Sequence, residues 1–132
     1  MTMKKLIATL ILTWIFLVTS SCKKAGIKVE GVLIDSGRAF IPKPGHHLEV
    51  RLYPKDSSAP LIEAQCTNDG HFEAHASPGK YRITIRYIHR DRDTFKGKYS
   101  NESSLIQREI VKGGDKLIID LGNPDNTNAS LP

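Results

Sequence analysis

The chain has 132 residues and a formal net charge of +5, with 19 basic and 14 acidic side chains. A chain of this length can bury one hydrophobic core, so we expect a single small domain. The basic residues are spread along the sequence, and in their densest group, residues 89–93, acidic residues alternate with them. Nucleic-acid binding needs a concentrated basic surface and is therefore not expected.

The first 21 residues have the pattern of an export signal. Lys4 and Lys5 precede an apolar stretch over residues 6–18, and small residues follow it up to Cys22. The apolar stretch holds roughly 13 residues, fewer than the roughly 20 that a membrane-spanning helix needs. We therefore predict that residues 1–21 are a signal peptide that is removed.

Ser20-Ser21-Cys22 resembles the end of a bacterial lipoprotein signal, in which small residues precede an obligatory cysteine. The resemblance implies that Cys22 is lipidated and becomes the N-terminus of a mature chain of about 111 residues, with a charge of about +3. Thr19 departs from the pattern, because the position three residues before the cysteine is most often Leu in such signals. The predicted location is extracytoplasmic, in the periplasm or at the cell surface, with the lipid anchor in a membrane. The alternative is an ordinary signal peptide that leaves Cys22 as a plain thiol.

The rest of the chain alternates apolar and polar residues with a period of two and shows no sustained helical repeat. Strands are predicted over residues 27–34, 47–53, 61–67, 71–75, 80–89, 105–112 and 116–121. In the longest strand, the side chains expected to point inward are Tyr81, Ile83, Ile85 and Tyr87. Those expected to point outward are Arg82, Thr84 and Arg86. The pattern predicts a β-domain over residues 27–121, a short linker over 22–26 and a loose tail over 122–132.

Turn residues separate the predicted strands. Asn68-Asp69-Gly70 supplies the positive backbone angles of a tight hairpin, so the strands on either side of it should pair. Gly113-Gly114-Asp115 is a second hairpin signal. Phe72 and Tyr81 follow turn residues and are expected to pack in the core rather than to bind a sugar or a peptide. Turns at this regular spacing predict an all-β fold, an antiparallel, Greek-key-like β-sandwich of about seven strands.

The order of these segments resembles that of carboxypeptidase regulatory-like domains, which are similar to transthyretin in fold. The matching segments are residues 29–33, 35–37, 41–42, 48–54, 67–72 and 78–85. Residues 98–100, 104–105, 111–115 and 117–121 are similar to the C-terminal half of small lipoproteins of planctomycete-type bacteria. The resemblance implies an accessory module with no catalytic residue set to carry over.

Motifs of enzymes with a transthyretin-like fold are missing from the sequence. Hydroxyisourate hydrolases of this type end in Tyr-Arg-Gly-Ser, whereas this chain ends in Asn-Ala-Ser-Leu-Pro. Intradiol dioxygenases need a His-x-His pair among their iron ligands, and the chain has none. It also has no Gly-x-Ser-x-Gly, phosphate-loop or Cys-x-x-Cys motif. We therefore predict that the protein is not an enzyme and carries no catalytic residue and no cofactor.

Five histidines raise the question of a metal site: His46, His47, His71, His75 and His89. His71, Glu73 and His75 share one strand face, but the outer two would lie about 13 Å apart. Metal bonds of about 2.0 Å require ligands within about 4 Å of one another. We therefore predict no metal and expect solvent-facing histidines. A small envelope enzyme or metal-binding protein that combines histidines from separate strands is the alternative function.

Cys66 is the one cysteine besides Cys22, and a single thiol cannot form an internal disulfide. It falls on the same strand side as Ile62 and Ala64, which predicts a buried, small apolar residue. A catalytic thiolate would need a cationic neighbour and exposure to solvent.

Of all segments, residues 91–104 are the one most expected to carry a specific function, because this segment is polar and long for a hairpin connection. Its candidate ligand contacts are Arg90, Arg92, Phe95 and Tyr99, provided that both rings lie at the surface beside the arginines. The alternative is a flexible surface loop.

The sequence therefore predicts a lipid-anchored, extracytoplasmic β-sandwich of the cell envelope with a binding or structural role. Its partner would be an envelope protein or a glycan, besides the membrane that holds the anchor. A stalk that only spaces the anchor from other proteins is a third possibility.

Overall fold

The computed structural model describes residues 26–56, 59–114 and 116–125. The predicted signal peptide, the lipidation site Cys22, nearly all of the predicted linker and the tail from residue 126 lie outside the described residues. The described part of the chain has no helix long and apolar enough to cross a membrane.

The described residues form ten strands. They are β1 (Ile27–Asp35), β2 (Arg38–Ala39), β3 (His47–Pro54), β4 (Ile62–Glu63), β5 (Gln65–Cys66), β6 (His71–Ala76), β7 (Gly79–His89), β8 (Arg92–Asp93), β9 (Gln107–Ile110) and β10 (Leu117–Asp120). Every predicted strand is present with ends within two residues of those expected, except that the third is divided at Ala64. The two-residue strands β2 and β8 were not predicted.

The strands form two sheets, which confirms the predicted all-β sandwich. The first has the order β10-β1-β6-β5, with β2 beside β1, and the second has the order β4-β3-β7-β8, with β9 beside β7. All pairs are antiparallel except β1 and β10, which run parallel with Gly31 opposite Leu117. This one pair departs from the antiparallel prediction.

Of the two predicted hairpins, the structure contains the first and lacks the second. The Asn68-Asp69-Gly70 turn does join an antiparallel pair, with Cys66 opposite Phe72. The hairpin predicted at Gly113 is wrong, because β9 pairs with β7 in the second sheet while β10 pairs with β1 in the first. The positive φ of Gly113 (74°) permits a turn, but burial of Ile110 and Ile119 against opposite sheets decides where each strand goes.

The chain changes sheets at Ala64. β4 pairs with β3 in the second sheet, and β5 pairs with β6 in the first. Between them, the Ala64 N–H donates to the Val50 carbonyl at 2.9 Å. A strand that serves both sheets in this way closes a corner of the sandwich.

The core lies between the sheets and includes most residues expected there. Phe72 and Tyr81 are buried, and Cys66 packs against the core while remaining partly exposed. Burial raises the pKa of the Cys66 thiol. Thr84 was expected to be exposed but is buried, because its short side chain lies opposite Arg51 and between longer arginine side chains of its own strand.

Candidate functional site

The sandwich has two ends that differ in character. The N-terminal segment enters at the end where Gly26, Pro54 and Tyr81 line one groove. We call this the proximal end. β7 runs away from this end and its antiparallel neighbour β3 runs toward it. The opposite end, here called the distal end, holds residues 40–46 and the β7–β8 turn, residues 89–92.

The β7–β8 turn is held in an unusual backbone conformation. His89 pairs with Arg92, and the two residues between them, Arg90 and Asp91, have φ angles of 48° and 61°. Consecutive positive φ angles define a type I′ hairpin, for which Asn-Gly is the usual sequence. A residue with a side chain pays about 1–2 kcal/mol for this conformation, and Arg is an uncommon choice there. The turn therefore holds Arg90 and Asp91 in a conformation that costs stability, and both Arg90 and Arg92 are exposed.

The Asp93 carboxylate fixes the segment that follows the turn. Its Oδ1 accepts hydrogen bonds from the Tyr87 and Phe95 N–H groups at 3.1 and 3.0 Å. Its Oδ2 accepts one from the Gly97 N–H at 2.9 Å. Further along, the Ile85 N–H donates to the Tyr99 carbonyl at 3.0 Å. The segment predicted as a loop is thus bonded to the edge of β7 over much of its length.

A second turn, Lys43-Pro44-Gly45-His46, covers this end from the other side. The His46 N–H donates to the Lys43 carbonyl at 3.1 Å, and Gly45 has a φ of 78°. Pro at the second position and a positive φ at the third are typical of a type II turn. The Lys43 N–H donates to the Tyr87 hydroxyl at 2.7 Å, which ties the turn to β7.

The two turns assemble a row of rings that runs from the core to the surface. Tyr99 meets Phe95 edge to face with centroids 5.2 Å apart, and Phe95 lies 5.4 Å from Tyr87. His46 stacks on Tyr87 at 4.7 Å and on His89 at 4.1 Å. We call these five rings the ring row. Phe40 packs edge to face on Tyr87 at 5.2 Å and so supports the row from the side.

The structure corrects the predicted ligand contacts. Tyr99 is only 3% exposed and its hydroxyl donates to the Leu121 carbonyl, so its ring cannot touch a ligand. Phe95 is partly buried against the core, so the condition that both rings lie at the surface is not met. Arg90 and Arg92 are exposed, as that prediction required. Both rings instead support the half-buried histidines at the outer end of the ring row.

Sequence reasoning missed the pairing of His46 with His89. One signal was available, since His89 is two residues from Tyr87 and therefore on the same strand face. The Pro-Gly turn before His46 was a second signal, but it does not by itself say which strand the turn covers.

The distal end carries an excess of positive charge. The exposed basic side chains of its turns and of the following segment include Lys43, Arg90, Arg92, Lys96 and Lys98. Asp91 is an exposed carboxylate among them, while the oxygens of Asp93 are occupied by backbone N–H groups. Beside this surface, Glu49 is paired with Arg86 at 3.0 Å and with His47 at 3.6 Å. Such a surface favours anionic partners.

No group of three His, Cys, Asp or Glu side chains is placed to hold a metal within the described residues, which include all five histidines. His47 and His75 are exposed, as expected. The expectation of solvent-facing histidines is wrong for His46 and His89, whose rings are half-buried because they stack face to face. Stacked imidazoles direct their nitrogens past one another rather than toward one ion, so they are poorly suited to share a metal.

Known proteins do not identify the chain. No family model, no curated protein and no solved structure matches it. The chemistry of the distal end is therefore the basis for assigning a function.

Proposed function

We propose that this protein is a lipid-anchored binding module of the cell envelope, with a carboxypeptidase regulatory-like sandwich as its scaffold. Its binding site is the outer end of the ring row, His46 and His89, together with Arg90 and Arg92. The partner is a component of the envelope, and the module positions itself beside that partner without catalysing a reaction.

The observation that carries the proposal is the conformation of the Arg90-Asp91 turn beside stacked, half-buried rings. Positive φ angles at two residues with side chains cost stability, and strain of this kind concentrates at functional sites. Arginine is also enriched in binding surfaces. A stalk that only spaces the anchor would gain nothing from either feature.

The proposed anchor suits this arrangement. Gly26 lines a groove at the proximal end, four residues after Cys22. Acyl chains on Cys22 would hold the proximal end at a membrane, so the distal end would face away from the bilayer and toward other envelope components.

Intact-mass measurement of the membrane-extracted protein tests the anchor. We expect the wild type to begin at Cys22 with added acyl mass, and Cys22→Ser to lose membrane attachment. An unmodified mass with cleavage at another position would overturn the anchor.

Cross-linking in intact cells tests the binding site. The test variant is Arg90→Asn with Arg92→Gln, because Asn tolerates a positive φ and the hairpin should keep its shape. The matched control is Lys80→Gln, which removes an exposed basic residue at the proximal end. We expect the wild type and the control to recover the same partner and the test variant to lose it. Equal recovery by all three proteins would refute the site, and no reproducible partner for the wild type would favour the stalk.

A further inference from the structure

Two of the four large apolar side chains that are exposed among the described residues lie at the proximal end. Leu61 is 40% exposed and follows Pro60, which lines the groove there. Val111 is 51% exposed and comes directly after Ile110, which lies opposite Gly79 at the start of β7. Because β9 runs antiparallel to β7, Val111 lies beyond the end of this strand pair. The proximal end therefore presents apolar side chains that the domain itself does not cover.

The rim of the groove is apolar and poor in backbone donors. Pro54, Ala59, Pro60 and Pro78 line it, and the last three are exposed. Proline has no backbone N–H, so covering these residues leaves fewer donors without a partner than covering an ordinary loop. The rim can therefore leave water at a lower cost.

Lysines surround these apolar residues. The Lys55 N–H donates to the Lys80 carbonyl at 3.0 Å, so the two residues are neighbours, and both side chains are exposed. Lys112 follows the exposed valine and is exposed as well. Asp56 and Glu109 are exposed carboxylates of the same end. Three lysines thus accompany two acids, which leaves a small excess of positive charge.

These lysines keep their charge available to a partner. Nζ of Lys55 donates to Oε1 of Gln107 at 2.8 Å, and this acceptor is neutral. Neither Lys80 nor Lys112 forms an ion pair with another of the described residues. An anionic surface can therefore approach all three without displacing a carboxylate from them.

The predicted anchor would bring this end of the domain to a bilayer. Gly26 lies four residues after Cys22, so the connection spans at most about 14 Å. Lys23 and Lys24 lie within it and add to the excess of positive charge. The Debye length at physiological ionic strength is about 8 Å, so a tether of this length keeps the proximal lysines close to the range of a charged membrane surface.

Resting on the proposed lipid anchor, we propose that the proximal end is itself a membrane-docking surface. Leu61 and Val111 enter the headgroup region of the bilayer. Lys55, Lys80 and Lys112 contact anionic phospholipid headgroups, with their stems along the apolar side chains. β7 leads away from the bilayer, and its 11 residues raise the distal end by up to about 36 Å. Docking thus gives the domain one orientation, which a flexible tether alone would not impose.

Quenching of a single tryptophan in vesicles tests the docking. Trp14, in the predicted signal peptide, is the one tryptophan of the chain, so the mature protein has none. Val111→Trp introduces a reporter at the proximal end. Its matched control is Ile41→Trp, which replaces an apolar side chain of the distal end that is 67% exposed. The lipidated proteins are reconstituted in vesicles of phosphatidylcholine and phosphatidylglycerol, with and without bromine on the upper part of the acyl chains.

We expect bromine to reduce the emission of Val111→Trp at least about twofold, and that of Ile41→Trp by less than about a tenth. Leu61→Trp is a second reporter on the same surface, so the test does not depend on the folding of one variant. Equal emission with and without bromine for both proximal reporters would overturn the docking surface.

Charge variants in the Val111→Trp background test the contact with headgroups. One variant replaces the three proximal lysines by Gln, and the control replaces three exposed lysines of the distal end and its following segment, Lys43, Lys96 and Lys98. Each lysine near an anionic surface contributes about fivefold, so loss of three should weaken docking about a hundredfold and abolish the quenching. The control should keep it, and vesicles of phosphatidylcholine alone should show little.

The possible failures are distinguishable. Quenching that survives loss of the proximal lysines would overturn the contact with anionic headgroups. An acylated protein without quenching at either proximal reporter would overturn the inference and leave the anchor standing. An intact mass without acyl groups would overturn the proposed anchor, and this inference with it.

Discussion

Asp93 holds three backbone N–H groups with one carboxylate, which makes its replacement by Asn a sharp test of how the β8 segment is fixed. Oδ1 accepts from Tyr87 and Phe95 at 3.1 and 3.0 Å, and Oδ2 accepts from Gly97 at 2.9 Å. Asn keeps one oxygen, which can retain the first two bonds. Its NH₂ group would face the Gly97 N–H, donor against donor. A hydrogen bond to a charged acceptor contributes about 1.5–3 kcal/mol, so we expect Asp93→Asn to lower the free energy of unfolding by about 2–3 kcal/mol.

The control is Asp91→Asn, two residues away in the same hairpin. It removes the same charge from an exposed side chain, and Asn tolerates the φ of 61° at this position. We expect its free energy of unfolding to stay within about 0.5 kcal/mol of the wild type. Urea unfolding followed by far-UV circular dichroism measures both variants against the wild type. Equal midpoints for the two variants would refute the role assigned to the Asp93 carboxylate.

Three further predictions concern the core. A Cβ at position 31 would lie 2.0 Å from Cζ of Phe72, which is directly opposite on β6. We therefore expect Gly31→Ala to lower the free energy of unfolding by about 1–3 kcal/mol in the same assay. A variant as stable as the wild type would contradict this packing. Partial burial raises the pKa of the Cys66 thiol. We therefore expect this thiol to react with a disulfide reagent at pH 8 more than about tenfold faster in urea than in the folded protein, and equal rates would contradict its packing against the core. Because the folded state holds this proton more tightly than the unfolded state, the domain should lose stability as the pH rises above the ordinary thiol pKa, and Cys66→Ala should remove that part of the loss.

Alternation predicted the strands well because each strand has one face against the core. β7 shows this most clearly, with Tyr81, Ile83, Ile85 and Tyr87 all buried as expected. The two-residue strands β2 and β8 were not predicted, since a period of two cannot be detected in so short a segment. The turn at Gly113 misled for a different reason. Turn chemistry is local, whereas β10 pairs with β1, which is distant in sequence, and this pairing buries residues such as Ile119.

The candidate site was predicted in part. Arg90 and Arg92 were candidates because they lie at the start of a polar segment, and both are exposed. Tyr99 was misjudged because its segment lacks alternation, yet its backbone bonds to Ile85 and its hydroxyl to Leu121. Those contacts join residues distant in sequence, as does the stack of His46 on His89. No pattern within one segment could have predicted them.

The edges of the two sheets are short or covered within the described residues. The first sheet ends in β10, with four residues, and β5, with two, while β4 at one edge of the second sheet also has two. The far side of β7, the longest strand at 11 residues, is occupied in turn by β9, Ile106, Tyr99 and β8. Long open edges recruit strands from neighbouring molecules and seed aggregates. Neighbouring molecules of this domain therefore expose only short rows of unpaired backbone N–H and C=O groups to one another. We expect the domain to stay free of fibres when it is crowded.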